Sequence, residues 1–167
     1  MRREILSWDD VDRLVDVLRP QFRGAFDAML IITRGGIIPG GLLAEALDLK
    51  HTLTAAVRFP ASDLPIPKLA ALPEFLQFPD DHLLEGRRVL VVDDVWGSGR
   101  TITAVKDRVE AAGGRPETCV FHFNPYRSLF TKAEPAYYGA ITDAHIVYPW
   151  ELDRGIDSIL AREPMRE

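Results

Sequence analysis

Apolar positions along the chain repeat with two different periods, and the two periods alternate. Near the amino end, Val11, Leu14, Val15 and Leu18 follow the i, i+3, i+4, i+7 spacing of one helix face, with Ser7 placed to cap its start and Pro20 to end it. "AMLIIT", Ala28 to Thr33, is instead a continuous apolar run of strand length, as expected for a strand covered on both faces. The loop "RGGIIPG" follows, and Pro39 suits the first turn of a helix through "GGLLAEALDL". A second strand is expected over His51 to Val57, a third over Arg88 to Val92, and two more in "TCVFHF" and "AHIVY". Ile102, Val105, Val109 and Ala112 mark the apolar face of a helix that stops at Gly113 and Gly114.

Strands alternating with helices predict an α/β fold, a three-layer α/β/α arrangement around a mostly parallel central sheet. Such sheets bind their ligands at the carboxyl ends of the strands. One stretch breaks the alternation. Between Arg58 and Leu84 the chain carries Pro60, Pro65, Pro67, Pro73 and Pro79, which forbid a continuous helix or a central strand. A loop of that length in a compact domain is usually functional or mobile. Its Arg58 and Lys68 read as solvated charges rather than ligands. The apolar residues of "LPEFLQF" call for cover by a partner or by the loop's own packing.

Composition narrows the function classes. With 167 residues, 47% of them hydrophobic, the chain can bury one ordinary core, so a single domain over residues 1–167 is expected. The formal charge of -5 gives no general attraction to nucleic acid or to a membrane surface, so an anionic ligand must be held by a local site. One cysteine permits no internal disulfide, and Cys119 lies in an apolar run that makes it a buried structural thiol. No apolar run reaches membrane-spanning length and no signal-like segment opens the chain, which fits a soluble, cytoplasmic protein. His51, His82 and His122 show no metal-ligand spacing.

The stretch "VLVVDDVWGSGRT", Val89 to Thr101, carries the chemistry. Gly97, Ser98, Gly99, Arg100 and Thr101 join a buried strand to a helix start, where unpaired backbone N–H groups and the positive end of the helix dipole attract an anion. Glycines let the backbone approach a phosphate, and Ser98 and Thr101 add hydroxyl donors. Asp93 and Asp94, just ahead of that turn, would repel a bare phosphate. An ionised carboxylate only accepts hydrogen bonds, so the pair matches a ligand that presents a vicinal diol beside its phosphate. A sugar phosphate fits both halves, and carboxylates near the anomeric carbon would stabilise positive charge developing there. A dinucleotide fingerprint lacks its third glycine here, and no Gly-Lys-Ser/Thr of a P-loop occurs.

A strand, two acids and a small Gly/Ser/Thr turn opening a helix resemble the phosphoribosyl diphosphate (PRPP) signature of the type I phosphoribosyltransferases. "ITRGGIIPGGLLAEAL", Ile32 to Leu47, resembles the pyrophosphate loop of the xanthine-guanine branch, and "TDAHIVYPWELDRG", Thr142 to Gly155, resembles its base-covering segment. The resemblance implies that PRPP binds with Mg2+ and that a nitrogenous base, a purine in the first instance, attacks C1′ to give a nucleoside monophosphate and pyrophosphate. Asp93 and Asp94 would hold the ribose diol and, through it or through water, the metal. Arg34, Gly35 and Gly36 would hold the pyrophosphate, and Gly97 to Thr101 the 5′-phosphate. Asn124, His145, Ile146 and Glu151 would face the base. Residues 58–84 correspond to a flap, residues 124–167 to a hood over the base, and a homodimer is implied.

Three positions depart from the xanthine-guanine pattern. Gly97 stands where 6-oxopurine enzymes carry an acid near the purine N7. Asn124 stands before Pro125 where that branch has a lysine that bonds the 6-oxo group, and Arg127 nearby offers a cation. His145 replaces a tryptophan beside the base. Discrimination by hydrogen bonds is steep, so these changes bear directly on which base is accepted. A missing acid also keeps open a rival of another class, a non-catalytic protein that senses PRPP or a nucleotide on the same fold. Tyr148 and Trp150 fit equally well as core packing or as a lid over a planar base.

Overall fold

The computed structural model describes residues 2–59, 72–129 and 132–152. The interior of the proline-rich loop, Lys68 included, and the end of the hood lie outside these residues. Among the described residues eight strands and four α-helices follow in order: β1 (Arg3–Ile5), α1 (Trp8–Leu18), β2 (Ala28–Ile32), α2 (Ile37–Ala46), β3 (Thr52–Arg58), β4 (Glu74–Gln77), β5 (Arg88–Trp96), α3 (Arg100–Ala111), β6 (Arg115–Phe123), β7 (Tyr137–Ile141), β8 (His145–Val147) and α4 (Pro149–Leu152).

Six strands form the central sheet in the order β4-β3-β2-β5-β6-β7. All neighbours run parallel except β4, which pairs antiparallel with β3 as an edge strand. The alternating side-chain directions of the buried strands build two cores. Met29, Leu90, Val92, Cys119 and Phe121 pack on the face covered by α1 and α2 with Val11, Leu14, Leu18 and Leu43. Leu30, Ile32, Val89, Val91 and Val120 pack on the opposite face against Ile102, Val105 and Val109 of α3. The expected α/β/α layering is therefore observed. Burial on both faces explains why these strands read as unbroken apolar runs.

The helix boundaries follow local chemistry. Ser7 Oγ accepts from the Asp10 backbone N–H while the Asp10 carboxylate accepts from the Ser7 N–H, a reciprocal capping box. Helix α2 approaches β2 so closely that a Cβ at Gly40 would lie 2.6 Å from the Ile31 side chain.

Three strands escape a reading by periodicity. Strand β7 contains Gly139, which weakens its strand signal. A Cβ there would meet Leu14 of α1 at 2.7 Å, so the glycine is required by helix packing. Strand β1 has three exposed residues and exists because it pairs in parallel with β8, forming a two-stranded sheet apart from the main one. Strand β4 lies within the proline-rich loop. Its Phe75, with the following Phe78, packs against the edge of the α3-side core, while Leu72 and Leu76 stay exposed. Arg58 is engaged by Glu74 at 2.7 Å in a solvent-facing ion pair, in keeping with a solvated charge.

Strand β5 also runs longer than expected. The spacing ends it at Val92, with the acids beyond it, but β6 keeps pairing with Asp93, Val95 and Trp96. Asp93 and Asp94 thus belong to the strand itself, on the part that has outrun its β2 neighbour.

Among the described residues no helix is long and apolar enough to cross a membrane. Replacing Ser7 with Ala removes one half of the capping box and should lower stability by about 1 kcal/mol, read as an earlier urea midpoint with an unchanged slope.

Candidate functional site

Strands β2 and β5 lie side by side and in parallel, so their carboxyl ends reach the same edge of the sheet. The last pair between them is Ile31 with Val92. Beyond it the β2 chain turns through Thr33 to Gly36 into α2, and β5 continues along β6. The turn therefore folds directly against the acidic pair. A Cβ at Gly35 would stand 2.5 Å from Asp94 Oδ1 and 2.8 Å from Asp93 Oδ1, and one at Gly36 would stand 2.4 Å from the Val92 carbonyl oxygen. Only glycine fits such an approach. The Thr33–Arg34 peptide is cis, and Arg34 is exposed at the rim.

The turn after β5 is equally constrained at one point. Gly99 has φ +79°, and a Cβ there would meet the Trp96 indole nitrogen at 2.4 Å. The first turn of α3 starts at Arg100 beside Ser98 and Thr101, with the Arg100 N–H donating to Ser98 Oγ at 3.4 Å. The Arg100 guanidinium lies 4.0 Å from the centre of the Phe59 ring, so it also joins this turn to the end of β3. Nothing stands within 4 Å of a Cβ at Gly97. Its missing side chain is therefore not imposed by packing.

The segment after β6, which the resemblance implied would face the base, straps this turn in place. The Asn124 N–H donates to the Trp96 carbonyl at 2.9 Å and the Leu129 N–H to the Ser98 carbonyl at 3.0 Å. The Trp96 indole N–H donates to Ser128 Oγ at 3.2 Å. Asn124 is only 2% exposed, and its Oδ1 has no hydrogen-bond partner among the described residues. A ligand would reach that oxygen only by displacing a neighbour.

The hood contributes differently from expectation. Ile146 is buried in the α1-side core, whereas His145 is exposed and pairs with Arg3. The Glu151 carboxylate accepts from the Tyr148 backbone N–H at 2.8 Å, capping the short α4. Tyr148 is 1% exposed and belongs to the core, with Trp150 stacked on it at 4.4 Å and 6°. Its hydroxyl donates to the Asp94 backbone carbonyl at 3.1 Å and meets His122 Nδ1 at 2.8 Å. A joint between three separate elements leaves no trace in local spacing, which is why sequence reasoning missed it.

The electrostatics single out the acidic pair. Asp93 Oδ1 accepts from the Asp94 N–H at 2.9 Å, and Asp94 Oδ1 from the Val95 N–H at 2.7 Å. Those bonds favour the ionised forms, but burial outweighs them. It raises Asp93 well above the ordinary carboxylate range, with the Asp94 charge adding to it, and raises Asp94 with a contribution from Glu151. The carboxyls therefore favour a proton, a cation or hydrogen-bond donors beside them.

A mostly parallel sheet whose β2 glycine turn closes on the acids of β5, next to a helix start, defines the type I phosphoribosyltransferase class. The comparisons agree. A profile of the phosphoribosyl transferase domain matches residues 3–151, so the chain belongs to that family of pentosyl-transferring enzymes. It is 29% identical over 155 residues to a xanthine-guanine phosphoribosyltransferase of Ruegeria sp., covering 88% of this chain and 84% of the relative. An adenine phosphoribosyltransferase of Geotalea daltonii is 30% identical over 116 residues, covering 65% and 66%. The crystal structure of a purine phosphoribosyltransferase from Pyrococcus horikoshii aligns with a TM-score of 0.74 at 26% identity, over 100% of this chain and 99% of that one. The relatives it resembles thus include both xanthine-guanine and adenine enzymes of the family.

The raised carboxyls have a cost in stability. A group whose folded pKa lies above its unfolded value binds more protons in the folded state. Stability then falls as pH rises from the ordinary aspartate value of about 3.9 through the raised folded value. Asp93→Asn keeps an acceptor for the Asp94 N–H and removes the charge. It should melt higher than wild type near neutral pH without ligand, with the advantage shrinking as pH falls through that window. A ligand-free melting series over pH checks this, and a lower melting point for the variant at neutral pH would contradict it.

Proposed function

We propose that the protein transfers the 5-phosphoribosyl group of PRPP to a purine. The observation that carries this reading is the contact of Gly35 with both carboxylates, one turn away from the helix start at Gly97 to Thr101. That spacing suits a pentose gripped through its diol on one side, its 5′-phosphate on another and its pyrophosphate on a third.

In this reading the Gly97–Thr101 amides and the Ser98 and Thr101 hydroxyls bind the 5′-phosphate, and the Gly35 and Gly36 amides with Arg34 bind the pyrophosphate. Each hydrogen bond to a charged oxygen contributes about 1.5–3 kcal/mol, so several give a firm anchor. Asp93 and Asp94 accept from the ribose hydroxyls. The bond from C1′ to the pyrophosphate oxygen breaks as a purine nitrogen bonds to C1′, and the proton displaced from the base goes to solvent. Positive charge building on the ribose ring is stabilised by the neighbouring carboxylates.

The residues fit the Mg2+ that the family implies. Two half-buried carboxylates with raised pKa gain from a cation, and among the described residues no larger group of acids, histidines or cysteines gathers to hold one alone. Such an ion takes one or two carboxylates and completes its shell from water and substrate oxygens. When bound, it neutralises the charge of the leaving pyrophosphate.

The base is read at the hood, where His145, Glu151 and the region of Asn124 are the candidates. Because relatives include both xanthine-guanine and adenine enzymes, the acceptor panel must hold oxopurines and an aminopurine. We place the enzyme in the cytoplasm as a homodimer acting on PRPP and a free base, with no nucleic acid or membrane partner. The sensor reading draws on Gly97, which puts no side chain where 6-oxopurine enzymes carry an acid near the purine N7.

Incubation with PRPP, Mg2+ and xanthine, guanine, hypoxanthine or adenine should release pyrophosphate only when a suitable base is present. PRPP binding without product from any of the four would overturn the transferase reading in favour of the sensor. Changing Asp93 and Asp94 together to Asn should lower kcat/KM for PRPP by about 10²-fold or more, and unaltered kinetics would show that the acids are bystanders.

A further inference from the structure

A buried chain of hydrogen bonds runs from β6 through the hood to the strand that carries the acids. His122 Nδ1 lies 2.8 Å from Tyr148 Oη, and Tyr148 Oη lies 3.1 Å from the Asp94 carbonyl oxygen. The direction of each bond follows from proton bookkeeping. A carbonyl oxygen only accepts, so the single hydroxyl proton of Tyr148 points at Asp94. Tyr148 Oη must then accept from His122, which places a proton on Nδ1. Burial lowers the His122 pKa to about 4, so the ring is neutral near pH 7 and its Nε2 carries no proton.

The far end of this chain is the Asp94–Val95 peptide. Its carbonyl is taken by Tyr148 and its N–H by the Asp94 carboxylate at 2.7 Å. Strand β5 has passed the end of its pairing with β2 by this point, so one flank of the acidic stretch has no strand beside it. The peptide that orients the Asp94 carboxylate is therefore held by a side chain from the hood. Tyr148 is itself fixed by the Trp150 ring stacked on it and by the Glu151 carboxylate on its N–H. Trp8, at the start of α1, leans on Trp150 with ring centres 5.9 Å apart, which extends the support to a third element.

We propose that His122 and Tyr148 are positioning residues, a strut that sets the Asp94 peptide, and with it the diol-binding carboxylates, through the hydrogen-bond chain His122 Nδ1–H to Tyr148 O–H to Asp94 C=O. This rests on the phosphoribosyl transfer proposed above. The strut makes the hood part of the ribose site as well as its cover. Binding or release at the hood then acts on the acids through one buried hydroxyl.

Three variants separate positioning from packing. Tyr148→Phe keeps the ring and the Trp150 stack and removes only the hydroxyl. His122→Leu keeps an apolar side chain and removes the donor, and His122→Asn returns an amide N–H close to the place of Nδ1. Assayed well below the melting temperature, Tyr148→Phe and His122→Leu should lose about three- to tenfold in kcat/KM for PRPP, the scale of one hydrogen bond, with His122→Asn within about twofold of wild type. A packing role predicts the opposite order, with Leu at least as good as Asn. Wild-type kinetics for Tyr148→Phe and His122→Leu, or equal loss in His122→Asn and His122→Leu, overturns the proposal. So does an Nε2-protonated tautomer of His122 in the imidazole nitrogen NMR spectrum. If the wild type shows no turnover, the transferase reading fails separately, and the same variants are compared by their affinity for PRPP with Mg2+. Unchanged affinity then overturns the strut.

Discussion

Two like charges held next to each other in a partly buried strand end are unfavourable until something arrives to answer them. Asp93 and Asp94 are in that position: burial raises both carboxyls, and the Asp94 charge adds to the effect on Asp93. Much of the surrounding structure serves to keep them there. Strand β6 extends β5 far enough to carry them, the Gly35–Gly36 turn closes against them with no room for a side chain, and Tyr148 holds the peptide behind them. The site is thus built with stored electrostatic cost, which a diol, a metal ion or a developing positive charge on the ribose ring relieves.

The two ends of the sheet contrast in this respect. At the amino ends of β5, β6 and β7, Arg88 donates to Glu117 at 2.6 and 3.1 Å, and Tyr137 donates to the same carboxylate. There each charge meets its opposite within the fold. At the carboxyl ends the two acids of β5 meet backbone amides, a glycine turn and each other. The asymmetry marks the carboxyl edge as the side where a ligand completes the chemistry, in line with the general behaviour of parallel α/β sheets.

How much could be read in advance varied from element to element for definite reasons. Helices α1 and α3 were legible because each has one apolar face and a local start or stop signal: Ser7 and Pro20 for one, Gly113 and Gly114 for the other. Strands β2, β5 and β6 were legible because burial on both faces leaves continuous apolar runs. Strand β7 was not, since Gly139 answers to the packing of Leu14 rather than to strand propensity. Strand β1 has no apolar pattern at all and depends on β8 lying beside it. Among the site residues, the glycine turn and the acids announced themselves by their composition. Ile146 and Tyr148 did not, because an apolar or aromatic residue near a site and one in a core look alike along the chain.

By itself the sequence determined the alternation of strands and helices, the anion-binding turn, the acidic pair and the glycines that must approach it. All of these are properties of short stretches, set by backbone freedom, side-chain charge and the period of apolar residues. Only the tertiary structure decided that β5 runs on through Asp93 and Asp94 and that the β2 turn packs onto their carboxylates. It alone placed Tyr148 in the core with its hydroxyl on the Asp94 carbonyl. Each of those outcomes depends on which strands become neighbours, and neighbours distant along the chain are chosen by the burial of whole faces, which no local stretch encodes.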